Sequence, residues 1–295
     1  TPSNAFLLAR HAPTIATRVG PVVTSRPESD VRAPPHGLNP FVLDTATEAN
    51  RADLRDYLRR ELATPLQNRP DADRLVEQIL EKSEGVFLYV EGFCEDIHKG
   101  YYSLERPETF PQGLGEKFFL DFRRYFPDLE KFRKEVRPAL RAILAAREPL
   151  PVETLQRLFH WEEEGLHDFV RALGSLFSVV KEARTEVSLT TAVGTFYLGS
   201  LPVPDQGGGG RIKSFHRSLD DWLSDDAKAG VYFVSVKEGH RILAEAFQQA
   251  ALSLRMHSKD GVSAIPLYLR EHGLDHLALC GRFLADLSAN EIAEI

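Results

Sequence analysis

From Thr47 onward, the chain is dominated by stripes of apolar residues at helical spacing. Leu54, Tyr57, Leu58 and Leu62 make the first, with Thr47 or Asn50 available as its N-cap. Leu75, Val76, Ile79 and Leu80 make a second that ends near Gly85, and Phe87, Val90, Cys94 and Ile97 a third. Beyond a stretch punctuated by proline and glycine, from Pro107 to Gly115, Phe118, Phe122 and Tyr125 predict a fourth helix.

The pattern then changes. Val136, Leu140, Ile143 and Leu144 mark a helix ending near Pro149, and Val152, Leu155 and Phe159 a short one. Leu166, Phe169, Val170, Leu173 and Phe177 predict the next. Two β-rich runs follow, around Glu186 to Leu198 and Arg211 to Phe215, separated by Gly207 to Gly210. Three helices followed by a hairpin is the order of a winged helix. The four glycines read as a flexible hairpin tip or an insertion. No Lys-Ser/Thr follows them, so they do not read as a phosphate-cradling loop. From Glu238 the pattern is helical again, through Ile242, Leu243, Ala246 and Phe247, then Leu267, Leu269, Leu277 and Leu284.

Ahead of these, residues 1 to 44 read as a helix, a strand and a second short strand, Pro40 to Leu43, the last corner of a parallel α/β sheet. The run Val22-Val23-Thr24-Ser25-Arg26-Pro27-Glu28 is a β-branched strand stopped by a proline. Thr24, Ser25 and Arg26 therefore fall at the strand's carboxyl end, where open α/β sheets bind ligands. A planar guanidinium there suits a phosphate. A surface arginine at a strand-to-loop junction accounts for the same residues.

Composition narrows the classes. The 295 residues are 43% hydrophobic and 27% charged, ordinary for a globular protein of more than one domain. A formal net charge of −7 argues against a general nucleic-acid binder. No apolar run is long enough to span a bilayer and no signal-peptide pattern opens the chain, so a cytoplasmic protein is expected. Cys94 and Cys280 are far apart within apolar helical patterns and are expected to be reduced core residues. The first residue is Thr1 rather than a methionine, which suggests a piece of something longer.

The densest chemistry lies in Ser214-Phe215-His216-Arg217-Ser218-Leu219-Asp220-Asp221-Trp222-Leu223, a strand feeding a short amphipathic helix. Leu219, Trp222 and Leu223 are expected to pack inward, with His216 at the helix's amino end. Free N–H donors and the helix dipole favour an anion there, and a histidine would add a tunable hydrogen bond. A histidine serving only as helix cap fits equally. His272 and His276 stand four apart, which permits a shared metal, although solvated helix histidines are the expectation. Trp161-Glu162-Glu163-Glu164 reads as a solvated acidic turn. No Gly-x-Ser-x-Gly or Cys/His nucleophile pattern is present.

In chain order, several short motifs resemble the STAND class of signal-transducing P-loop NTPases, in particular its NACHT/NB-ARC members followed by WD or ankyrin repeats. They are Thr24-Ser25-Arg26-Pro27-Glu28, Asp53-Leu54-Arg55-Asp56-Tyr57-Leu58 and Ser83-Glu84-Gly85-Val86-Phe87-Leu88-Tyr89. The series continues with Arg147-Glu148-Pro149-Leu150, Phe215-His216-Arg217-Ser218-Leu219-Asp220-Asp221-Trp222-Leu223 and Glu238-Gly239-His240-Arg241-Ile242-Leu243-Ala244. The resemblance implies a mainly α, multidomain chain: the end of a P-loop NTPase α/β domain over 1–44, a first helical domain over 45–126, a winged helix over 127–235 and the start of a second helical domain over 236–295.

It also implies a nucleotide switch that uses ATP or ADP with Mg²⁺. Arg26, after Thr24 and Ser25, would sense the terminal phosphate, and His216 would touch the β-phosphate of ADP. Gly85 and Phe87 fall where the first helical domain closes over adenine, with Val86-Phe87 replacing the usual x-Pro after the glycine. The G-x-x-x-x-G-K-[ST] loop and the Mg²⁺-holding acids are absent and expected upstream, so this chain alone should not hydrolyse ATP. Self-oligomerisation and protein partners, reached through effector and repeat domains, follow from the same resemblance. A DNA-reading winged helix is the rival, but its third helix, Glu164 to Leu176, carries Glu164 and Asp168 against Arg171 alone. A scaffold that works without nucleotide is the other alternative.

Overall fold

The computed structural model describes residues 44–180, 185–191, 194–201, 210–256 and 265–281, and these are mainly helical. The sheet corner expected over 1–44, with Thr24, Ser25 and Arg26, lies outside the described residues apart from Asp44, as do Gly207 to Gly209 and Leu284.

Helix α1 spans Glu48–Glu61. Thr47 caps it by accepting from the Asn50 N–H at 3.2 Å. The Asn50 side chain instead donates to the carbonyls of Thr45 and Gly85, each at 2.9 Å, tying this helix start to the end of the next one. That next helix, α2, spans Ala72–Ser83 and ends through Glu84 and Gly85, both left-handed, at φ 54° and 75°. A side chain at Gly85 would also strike the Thr45 carbonyl, so glycine is needed there on two counts. Helix α3 follows at Phe87–His98. Leu54, Leu58, Leu75, Ile79, Tyr89 and Phe93 form the centre of a first apolar core.

A second core begins with helix α4, Gly113–Tyr125. Its Phe118 and Phe122 rings lie 5.8 and 5.3 Å from Trp222, so α4 builds most of its apolar face against residues a hundred positions away, while Leu114 touches both cores. Helix α5, Arg137–Ala145, is preceded by a π turn, Phe132–Val136. Pro138 has no N–H to give to the ordinary ladder, and Arg137 N–H reaches back to the Phe132 carbonyl.

Then come β1 (Leu150–Pro151), α6 (Val152–Phe159), α7 (Glu163–Leu173) and β2 (Phe177–Val180). The expected helix through Phe177 stops earlier. Gly174, at φ 56°, ends the α-helix in a single 3-10 turn, Gly174–Leu176, and Phe177 opens a strand instead. Strands β3 (Thr185–Thr191) and β4 (Gly194–Leu201), which fall between β2 and β5 (Arg211–Ser214) in the sequence, among the described residues pair with each other alone as a hairpin. The other three strands form an antiparallel sheet in the order β1-β5-β2, with Val179 opposite Ile212.

Strand β5 passes through Phe215 and His216 into α8, Arg217–Leu223. The last helices among the described residues are α9, Val236–Met256, and α10, Leu267–Leu279, and both add to the second core. Helix α9 lies between α5 and α10. Gly239 lets it approach the α5 backbone, and Gly273 of α10 receives the Phe247 ring of α9.

Candidate functional site

His216 is the N-cap of α8. Its backbone is extended (φ −155°, ψ 143°), and its Nδ1 accepts from the Ser218 N–H at 3.1 Å. Nδ1 is therefore the bare nitrogen, and Nε2 carries the proton on an exposed ring. Leu219, Trp222 and Leu223 are buried below it, as the amphipathic pattern predicted. Phe215 stays 42% exposed, its ring meeting Phe118 edge-on at 6.1 Å. His216 is thus a cap and an exposed donor at once.

Gly85 and Phe87 stand at another corner. Gly85 turns the chain from α2 into α3 against Thr45, and the Phe87 ring, 44% exposed, meets Tyr57 edge-on at 4.7 Å. No described contact joins this corner to His216. A cavity of about 210 Å³ has Leu88 of α3 on one wall and Phe215 on another, and Gly85, Phe87 and His216 do not line it.

That cavity is electrostatically closed to phosphate. Glu91, Glu95, Asp96 and Asp121 line it against Lys99, Lys117 and Arg124. Each cation is already paired. Lys99 holds Glu95 at 2.9 Å, Lys117 holds Asp96 at 2.5 Å and Asp121 at 3.1 Å, and Arg124 is bonded to Asp121. Burial pushes the Asp121 carboxyl above its ordinary range, against the pull of Lys117.

A second, more open cleft of about 430 Å³ lies beside α8, lined by Arg147, Arg217, Asp220, Asp221 and His240 among others. Burial raises the Asp220 carboxyl, while a hydrogen bond from Ser214 opposes the shift.

The histidines depart from expectation. His276 is not solvated but fully buried. Its Nε2 lies 2.8 Å from the Tyr268 hydroxyl, and its Nδ1 lies 2.8 Å from Nδ1 of His240. With both nitrogens engaged it has no lone pair for a metal, which removes the shared His272–His276 site. A different trio, Glu148, Glu271 and His272, places one ligand atom each within 4.8 Å of the others. There the Glu148 oxygen that faces His272 Nε2 at 4.0 Å already accepts from Arg211 at 2.8 Å. The guanidinium supplies the positive charge that a metal would bring. The only sequence sign of the His240–His276 contact was the placement of both residues in helical stretches.

Cys94 and Cys280 are both free thiols, Cys94 buried and Cys280 partly so. Among the described residues no helix is long and apolar enough to cross a membrane. Compared with protein families, with curated proteins and with solved structures, the chain finds no match in any of the three.

Proposed function

We propose that this chain is the regulatory half of a nucleotide-dependent switch of the STAND kind, in which the region from α5 to β5 is a winged helix and His216 is its phosphate-sensing latch. The single observation that carries the reading is the strand order β1-β5-β2 after helix α5, with α6 and α7 between β1 and β2 and a hairpin before β5. The chain then enters α8 through His216, whose ring is exposed while Nδ1 holds the cap. A charge-assisted contact from its Nε2–H to a nucleotide phosphate contributes about 1.5 to 3 kcal/mol, enough to bias two domain arrangements but not to fix one alone.

In this reading a phosphate loop and Mg²⁺-binding acids come from outside the chain, Arg26 faces the terminal phosphate, and Gly85 and Phe87 close over the base. Exchange of ADP for ATP releases His216 and permits self-association. The DNA-reader alternative is disfavoured by α7, which presents Glu163, Glu164 and Asp168 to solvent.

Calorimetric titration of ADP into the full-length gene product, with and without His216→Ala, tests the switch. Affinity weaker by about tenfold or more in the variant corresponds to the loss of one such contact, tenfold being about 1.4 kcal/mol. Equal affinity removes His216 from the mechanism. Absence of ADP binding favours the nucleotide-independent scaffold, which the pairing of Lys99, Lys117 and Arg124 with acids supports independently.

A further inference from the structure

The buried contact between α9 and α10 runs through hydrogen bonds whose direction is determined by counting protons. The Arg147 backbone N–H donates to the Tyr268 hydroxyl oxygen at 3.0 Å. Among the described residues, that oxygen's other hydrogen-bond neighbour is His276 Nε2, so the Tyr268 proton goes to it. His276 Nδ1 then carries the imidazole proton and donates to His240 Nδ1, leaving the His240 proton on Nε2. Every position in the chain Arg147–Tyr268–His276–His240 is filled, and the arrangement holds only while both rings are neutral.

A proton added to His240 must go to Nδ1, because Nε2 is already protonated. It would meet the Nδ1–H of His276 head-on at a separation of 2.8 Å, where two donors cannot both stay; shifting the His276 proton to Nε2 relieves that clash only by taking the acceptor from the Tyr268 hydroxyl. A proton arriving at His276 has no lone pair to take it. The surroundings offer His276 little relief. Arg147, whose guanidinium lies 3.7 Å from Asp275, places a cation beside both rings. From α10 itself, His272 adds a second imidazole, and its Glu148 neighbour is shared with Arg211. His240 shares the open cleft with the carboxylates Asp220 and Asp221 and with Arg217, which lies 3.8 Å from Asp221. A protonated His240 is therefore better placed turned toward the cleft than toward His276.

We propose that His240 and His276 form a proton-operated latch: with both rings neutral they hold α10 on α9 and on the Arg147–Glu148 turn that leads into β1, and uptake of a proton releases α10 while the first core stays closed. The latch does not depend on nucleotide binding. It would make the attachment of α10, and of anything joined to it, responsive to acidification. Burial and the nearby Arg147 hold both imidazoles below their ordinary range, His276 at about 3, in keeping with a neutral pair at neutral pH.

The test is hydrogen exchange followed by mass spectrometry on the whole chain at pH 7.5 and pH 5.0, corrected for the intrinsic rate. Peptides covering 267–279 should open about thirtyfold more at pH 5.0, the ratio for one imidazole held at about 3 instead of an ordinary 6.5. Peptides of α1 to α3 should not change. His276→Leu should remove most of the pH dependence of α10, His240→Leu should reduce it, because burial still holds His276 low, and His272→Gln should keep it. The latch is overturned if wild-type α10 exchanges alike at the two pH values, or if every peptide opens together. It is equally overturned if His272→Gln abolishes the effect. The wild-type comparison decides even if a leucine variant fails to fold.

Discussion

Gly239 of α9 lies against the carbonyl oxygen of Arg141 on α5, so close that a Cβ at this position would overlap it. The obstacle is backbone on both sides and cannot rotate away. Gly239→Ala should therefore push α9 off α5, at the upper end of the roughly 1 to 3 kcal/mol typical of overpacking. Urea unfolding would show a lower midpoint with an unchanged slope. A midpoint equal to wild type would mean that the two helices separate at no cost.

Lys117 joins the two cores by a different device. Its side chain passes over Gly92 of α3, and its ammonium, with only 7% of the side chain exposed, lies between Asp96 of α3 and Asp121 of α4. Lys117→Met leaves two buried carboxylates with Arg124 alone and should cost about 3 to 5 kcal/mol at neutral pH. The sign of its pH dependence follows from Asp121, which burial already holds above its ordinary value. Loss of the ammonium raises it further. A carboxyl whose folded value exceeds its unfolded one stabilises the fold at low pH and loses that contribution as pH rises. The variant's deficit should thus be smaller at pH 5 than at pH 8, measured by urea unfolding at each. A deficit independent of pH would show that the carboxylates reach solvent.

The two thiols should separate by reactivity. Burial pushes the Cys94 thiol up to about 12, so almost none is thiolate at pH 8. Cys280, at the end of α10, is only partly covered. Iodoacetamide at pH 8 followed by peptide mapping should label Cys280 in the native chain and reach Cys94 only after unfolding. Equal labelling of both would contradict the closed first core.

Local sequence signals revealed elements better than their meetings. Thr47 and Asn50 were both visible as cap residues, and both are used, one as the cap and the other as a tie to Gly85. The step from β5 into α8 with His216 at the junction was legible because strand, cap and amphipathic stripe lie within ten residues. Phe177 was misassigned because its position continues the helical period of α7, while one glycine conformation decides otherwise. The burial of His276, expected to be solvated, was not legible because α10 is apolar on several sides, with Leu267 and Leu274 exposed and Tyr268 and Leu269 buried, so no single stripe marks its inner face. Whether Gly85, Phe87 and His216 converge on one ligand depends on packing between distant segments, which no local period encodes.

The buried imidazole also predicts the acid limb of stability. His276 is held at about 3 when folded and returns to an ordinary value near 6.5 when unfolded. Above 6.5 both states are neutral there and the group is indifferent to pH. Between 6.5 and 3 the unfolded chain binds a proton that the folded chain refuses, so stability falls as pH falls, by up to about 1.4 kcal/mol per unit. His276→Leu removes this term and keeps an apolar side chain at the site. It leaves the Tyr268 hydroxyl and the His240 ring each short of a partner, so its stability at pH 7.5 should be lower by about 1 to 3 kcal/mol. Its stability should nevertheless decline less than that of wild type between pH 6.5 and pH 5. Urea midpoints for the two proteins across that range give the comparison, and parallel curves would show that His276 takes up its proton without resistance from the fold.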